Sequence, residues 1–227
     1  MKTLVIGANG GVGRQVVKLL AESGQPVRAM VRSESQRPAL TSDGAEVVVA
    51  DLEQDFAHAF EGCGACVFTA GSGGGTGGEK TLLVDLWAAL KSYEFAHAAG
   101  CARYVMVSAL RADNPDFGPA AIRHYLVAKK VADDYLRDSP LDWTCLRPGR
   151  LTDESGTGRI QFHYDPSHHN NQITRADVAA TVVAVLGAAN TIGKRLDLLN
   201  GEMPIADAVA GVTESQSQAL PTAPSSA

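Results

Sequence analysis

Three side chains of this sequence could move a proton if the fold brought them together. Ser108 ends the run Tyr104-Val-Met-Val-Ser108, and Tyr125 and Lys129 frame Tyr125-Leu-Val-Ala-Lys129. On a helix, an i, i+4 spacing sets phenol and ammonium one turn apart on the same face. A neighbouring cation favours phenolate and lowers a pKa that starts near ~10, so Tyr125 could pass a proton to a carbonyl oxygen receiving hydride. Ser108 could hydrogen-bond that oxygen. The plainer reading of the Tyr/Lys spacing is a helix-surface pair without catalytic work.

A second constellation concerns phosphates. Thr3-Leu-Val-Ile6 runs into Gly7-Ala-Asn-Gly10-Gly-Val-Gly13 and then into an amphipathic stretch, so glycines stand where a chain turns sharply, nears a ligand and packs helix on strand. The helix start offers N–H groups and a positive dipole end to a pyrophosphate. The spacing, Gly-x-x-Gly-x-x-Gly, is one residue longer than the commonest dinucleotide fingerprint, and a purely structural turn is the alternative. An NAD site usually has an acid at the end of the second strand; here the segment ends Met30-Val-Arg32-Ser33, with Arg28 and Arg32 bracketing the strand end and no acid before Glu34. A cation with a hydroxyl suits a 2′-phosphate, so NADP(H) is favoured over NAD(H). Asp51-Leu52 would lie beside the adenine, Ala70-Gly71-Ser72 beside the ribose and phosphates, and Lys129 could hold the nicotinamide ribose.

Other candidates fail on spacing. Gly73-Gly-Gly-Thr-Gly-Gly78-Glu-Lys80-Thr81 misses a P-loop because Glu79 separates the last glycine from the lysine and would repel the phosphates, so it reads as a flexible loop above the cofactor. Cys63-Gly-Ala-Cys66 has redox or zinc spacing, yet Cys66 opens an apolar strand and no second pair completes a metal site. With Cys101 and Cys145, these read as buried thiols. His163, His168 and His169 are interrupted by Pro166 and read as a substrate-side or surface loop, with no metal expected.

The elements that must position these residues follow from apolar periodicity. Strands are expected at Thr3–Ile6, Pro26–Val31, Ala45–Ala50, Cys66–Ala70, Tyr104–Ser108, Trp143–Arg147 and Arg195–Leu199, with a possible short strand near Arg159–Phe162. Helices are expected at about Gly11–Ser23, Glu79–Ala99, Ala120–Asp138, Arg175–Leu186 and Ile205–Val209. Unalternating apolar runs separated by helices imply right-handed crossovers into a parallel sheet buried on both faces. The fold class is α/β, a doubly wound parallel sheet. Residues 1–212 form one domain with a small substrate-side region at about 149–212, and residues 213–227 have the composition of a disordered tail.

Composition agrees. At 227 residues, 45% apolar and 20% charged, the chain can bury a core without disulfides. Lys and Arg number 20 against 25 Asp and Glu, with no basic block, which argues against nucleic acid as a partner. The longest apolar stretch, Val178–Ala189, is too short to span a membrane, and Thr3–Ile6 is too short for a signal peptide. A cytoplasmic protein acting on a small molecule is expected.

Together these residues resemble the atypical short-chain dehydrogenase/reductases, specifically the small NAD(P)-binding, NmrA-like branch with the flavin/biliverdin reductases. The resemblance covers the chain to about Val209. It rests on the glycine loop, Asp51-Leu52, Thr69-Ala-Gly71, Val107-Ser108, Tyr125-x3-Lys129, Leu146-Arg-Pro-Gly149, Ile173-Thr-Arg-Ala-Asp-Val178 and Asn200-Gly-Glu-Met-Pro-Ile205. It implies that Gly7, Asn9, Gly10, Gly11, Val12, Arg32, Asp51, Ala70 and Gly71 line the cofactor and that Ser108, Tyr125 and Lys129 match the reductase triad. Many relatives carry an Asn on the helix after strand four; the nearest residue here is Asp85. The expected activity is hydride transfer from NADPH to a small carbonyl, quinone or flavin-like acceptor. A non-catalytic NADP(H) sensor with a protein partner is the alternative, and a nucleotide-sugar epimerase, which usually has a longer C-terminal lobe, fits less well.

Overall fold

A computed structural model describes residues 1–165 and 171–213. Its strands are β1 (Thr3–Ile6), β2 (Val27–Val31), β3 (Glu46–Val49), β4 (Ala65–Phe68), β5 (Arg103–Val107), β6 (Asp142–Pro148), β7 (Arg150–Thr152), β8 (Arg159–Gln161), β9 (Gln172–Thr174), β10 (Lys194–Asn200) and β11 (Met203–Pro204). The helices are α1 (Gly13–Glu22), α2 (Arg37–Ser42), α3 (Gly78–Lys80), α4 (Ala88–Ala98), α5 (Arg123–Arg137), α6 (Arg175–Leu186) and α7 (Ile205–Ala210). A π-helical stretch, Thr81–Trp87, joins α3 to α4.

Seven strands run parallel in the order β3-β2-β1-β4-β5-β6-β10, and β8 and β11 extend the far edge antiparallel to their neighbours. The chain winds outward from β1 in one direction and from β4 in the other. Ile6 is in register with Met30 on one side and Phe68 on the other, so the ends of β1, β2 and β4 lie level around this switch point, where open α/β sheets bind ligands.

Alternate residues serve opposite faces. Val5, Val67, Val105 and Leu146 pack with Val16, Val17 and Leu20 of α1 and Val178, Val182 and Val185 of α6. Leu4, Ile6, Phe68, Tyr104 and Met106 pack with Tyr93 and Ala96 of α4 and Ala132 and Leu136 of α5. Burial on both faces explains the unalternating apolar runs.

The expected doubly wound sheet is present. The sequence reading missed α2 and strands β7, β9 and β11, which have two to six residues and no readable period. The single helix expected over Glu79–Ala99 is instead divided by the π-helical stretch. Arg28 was expected beside Arg32 but stands at the other end of β2. There it pairs with Glu46 at 2.6 Å and donates to the carbonyls of Ala59 and Glu61. Three residues of extended β2 lie between the two arginines, which places them at opposite rims of the sheet. Residues 214–227 of the proposed tail, and His168 and His169, lie outside the described residues.

Candidate active site

At the switch point the glycine turn is packed against the end of β4. Gly7 has φ +80°, and a Cβ there would lie 2.7 Å from the Ala70 nitrogen; at Gly13 it would lie 2.3 Å from the Gly7 oxygen. The Gly10 amide donates to the Gly7 carbonyl at 2.9 Å and closes the turn. Asn9, Gly10 and Gly11 are exposed, and neither a side-chain cap nor an acid occupies the first turn of α1. Such an uncapped helix start fits a pyrophosphate. The Arg175 side chain lies across the turn, its Cδ 2.7 Å from where a Gly11 Cβ would be, and it pairs with Asp153 at 2.7 Å.

A cleft of about 340 Å³ opens here, lined by Gly7, Asn9, Arg32, Asp51, Leu52, Ala70, Gly71 and Ser72 among the residues singled out from the sequence. Gly10, Gly11, Val12 and Ser33 lie outside its lining. Val12 is buried at the foot of α1, and Ser33 caps a short helical turn, its hydroxyl accepting from the Ser35 amide at 3.3 Å. Gln36, which the sequence reading missed, also lines the cleft and accepts from the amides of Arg32 and Ser33 at 3.1 and 3.3 Å. That clamp holds the Arg32 backbone at the rim, and among the described residues no carboxylate pairs with its guanidinium. Glu34 turns away to Arg37 at 2.6 Å. Lys80, from the sequence resembling a P-loop, bridges to Glu53 at 2.5 Å, while the Thr76 hydroxyl donates to the carbonyls of Ser72 and Gly73. Lys80, Glu53 and Thr76 all line the same cleft, where the lysine is paired with an acid.

Beyond the ends of β5 and β6 a second cleft, of about 320 Å³, contains both Ser108 and Tyr125 in its lining. The Ser108 amide donates to the Leu146 carbonyl at 2.7 Å, and its buried Oγ has no protein partner. Lys129 is buried behind Tyr125. Its Nζ donates to the Val107 carbonyl at 3.1 Å and stands 5.9 Å from the Tyr125 ring centroid and 6.0 Å from that of Phe68. The structure therefore brings Ser108, Tyr125 and Lys129 together around the end of β5.

The electrostatics differ from the expectation that Lys129 would favour phenolate. Burial raises the Tyr125 pKa well above the ordinary tyrosine value, with the carboxylates of Asp85 and Asp133 adding to the shift. Burial lowers the Lys129 pKa, and the same two carboxylates oppose that effect. The shift favours the protonated phenol. Asp85 lines neither cleft but acts on residues of both: fully buried on the π-helical stretch, it accepts the Ser72 amide at 3.0 Å through one oxygen, and its other oxygen has no protein partner. Its place one turn into a π-helical stretch agrees with the tendency of such stretches to occur at functional sites.

The four cysteines are free and buried, and burial raises the thiol pKa of Cys63, Cys66, Cys101 and Cys145. Among the described residues no group of His, Cys, Asp and Glu is arranged to hold a metal ion, and no helix is long and apolar enough to cross a membrane. His163 is exposed and lines neither cleft.

Comparison with known proteins places this geometry in a family. The NAD(P)H-binding family matches residues 7–189. The chain is 46% identical over 213 residues to the uncharacterized sugar epimerase YhfK of Bacillus subtilis, covering 92% of this chain and 99% of that one. It is also 46% identical to a solved structure from Bacillus halodurans, provisionally named an NAD-dependent epimerase/dehydratase, with a TM-score of 0.88 over 92% and 99% of the two chains. The structure of ChuY, an anaerobillin reductase from Escherichia coli O157:H7, is 25% identical with a TM-score of 0.73 over 89% and 98%. The chain belongs to the NAD(P)H-binding family of atypical short-chain dehydrogenase/reductases.

Proposed function

We propose that this protein is an NADPH-dependent reductase of a small carbonyl, quinone or flavin-like acceptor. The observation that carries the reading is the convergence, around the end of β5, of the unpartnered Ser108 Oγ, the Tyr125 side chain lining the same cleft and the Lys129 Nζ 5.9 Å from the Tyr125 ring centroid. NADPH supplies a hydride from its nicotinamide. The glycine turn and the start of α1 would hold the pyrophosphate, Arg32 the 2′-phosphate, and Asp51 and Leu52 the adenine side. Ser108 donates a hydrogen bond to the acceptor oxygen, and Tyr125 gives that oxygen its proton. Lys129 keeps one N–H on Val107 and has two more for ribose hydroxyls. A raised Tyr125 pKa suits reduction, in which the residue must begin protonated.

Preference for the phosphorylated cofactor is supported by the free Arg32 and by Glu34 facing away. Fluorescence titration with NADPH and NADH tests it: NADPH should bind more tightly to the wild type, and Arg32→Ala should weaken NADPH by about tenfold or more while sparing NADH, as expected for one lost charge-assisted contact. Equal weakening of both nucleotides would remove the selectivity argument.

A second reading draws support from the printed names of the two relatives that are 46% identical. A sugar epimerase would use the same Ser, Tyr and Lys, but would regenerate its cofactor in each cycle. Net NADPH oxidation therefore separates the two. The catalytic cleft, near the lower end of small-molecule sites, favours a compact acceptor over a nucleotide sugar.

A further inference from the structure

The catalytic cleft has a charge pattern that proton and hydride transfer do not require. Arg111 and Arg150 line it, Asn171 adds an amide, no Asp or Glu does, and most of the remaining wall is apolar. This occurs in a chain of net charge −5. Among the described residues no carboxylate lies within ion-pair distance of either arginine, whereas Arg37, Arg147, Arg175 and Arg195 each have one.

Arg111 is held in place at a conformational cost. It has φ 67°, the only positive value among the described non-glycine residues, a left-handed conformation that an L side chain adopts at a cost. Its Nε donates to the Tyr164 hydroxyl at 3.2 Å and one terminal nitrogen donates to the same oxygen, with the guanidinium over the ring at 5.2 Å from its centroid. The planar guanidinium retains further N–H donors. Since the Tyr164 oxygen accepts from arginine, its own O–H is free to donate as well. Beside this cationic end stands the buried, unpartnered Ser108 Oγ.

We infer that the substrate is a carbonyl compound with an apolar body and an oxyanion group, carboxylate or phosphate, which Arg111 and Tyr164 bind with Arg150 nearby. This rests on the reductase reading for the carbonyl end: the carbonyl carbon gains hydride from NADPH, its oxygen gains the proton of Tyr125, and an alcohol and NADP⁺ result. The anion takes no part in the chemistry. Its recognition sets which carbonyl enters and which way round it lies.

Three probes of similar shape decide the matter: 4-formylbenzoate, 4-formylphenyl phosphate and the neutral methyl 4-formylbenzoate. Their binding to protein saturated with NADP⁺ is measured by calorimetry, and NADPH oxidation is followed in parallel. At least one anionic probe should bind about tenfold or more tightly than the ester, the gain expected for a charge-assisted contact. In Arg111→Asn, which tolerates the left-handed backbone, the ratio of anion to ester affinity should fall toward one, and Arg111→Lys should restore part of it. The better of the two anionic probes identifies carboxylate or phosphate. Equal affinities for all three probes, no binding of either anion at millimolar concentration, or a preference that survives in Arg111→Asn would each overturn the inference. Because binding is read apart from turnover, failure of all three to oxidise NADPH counts against the reductase reading and leaves the anion result readable.

Discussion

The two clefts at the C-terminal edge of the sheet are built in different ways. The dinucleotide cleft draws on short contiguous segments: the turn from Gly7, the end of β2 at Arg32, Asp51-Leu52 after β3 and Ala70-Gly71-Ser72 after β4. Each follows a strand, so the register of the sheet brings them level. The cleft of Ser108 and Tyr125 instead combines the loop after β5, the start of α5 and the ribbon of β7 and β9, where the Arg150 amide donates to the Asn171 carbonyl at 2.7 Å. Its geometry depends on contacts between residues far apart in sequence. On the proposed reading, cofactor binding resides in the regular frame and substrate choice in the added segments that pack on it.

Substitutions on either side of this division should separate chemistry, frame and cofactor binding. Tyr125→Phe should lower reductase kcat/KM by about a thousandfold and leave NADPH affinity near wild type, since it removes a proton donor from the catalytic cleft alone. With wild-type enzyme, kcat/KM should stay level through neutral pH because Tyr125 ionises only above its ordinary range. Loss should begin on the alkaline side with Lys129, whose pKa burial lowers, and a neutral-pH fall attributable to Tyr125 would contradict the acid assignment.

The next effect concerns the floor beneath the catalytic cleft. Arg147 on β6 is 2% exposed and donates from Nε to Asp133 of α5 at 2.9 Å. Arg147→Met would leave that buried carboxylate without its cation, which costs about 3–5 kcal/mol. At about 2–4 °C per kcal/mol for a domain of this size, thermal unfolding should shift down by about 6–20 °C. An unchanged melting temperature would show that Asp133 finds another partner.

Gly13→Ala acts on the opposite side, forcing a methyl to within 2.3 Å of the Gly7 oxygen. Overpacking of this kind costs about 1–3 kcal/mol, and NADPH affinity should fall with it because the turn itself must shift. Gly75→Ala should change neither stability nor affinity measurably, as nothing lies within 4 Å of an added Cβ there. If the two alanine variants behaved alike in a cofactor titration, the packed turn would not be the element that organises the cleft.

Most of the frame was legible in the residues because its signals are local. A strand buried on both faces must be apolar at consecutive positions, a chain turning tightly beneath a helix must carry glycine, and a Tyr/Lys pair one helical turn apart must share a face. Gly7, Tyr125 and Lys129 could be named on those grounds, and Ser108, Asp51, Leu52, Ala70, Gly71 and Ser72 from their places at strand ends, whereas Asn9 came only from the family resemblance. Legibility failed where elements were short or partners remote. Six-residue α2, the three-residue strands of the ribbon and the Gln36 clamp on Arg32 leave no periodic trace.

The sequence alone determined the parallel sheet, the glycine turn at its switch point and the residue types available for proton transfer, since each depends on neighbours within a few positions. Tertiary structure decided how those types behave. It sent Arg28 to Glu46 at the far rim, tied Lys80 to Glu53, and buried Asp85 with one oxygen on the Ser72 amide. It also reversed the expected direction of the Tyr125 pKa shift, because desolvation and the carboxylates of Asp85 and Asp133 act over distances that no spacing along the chain encodes.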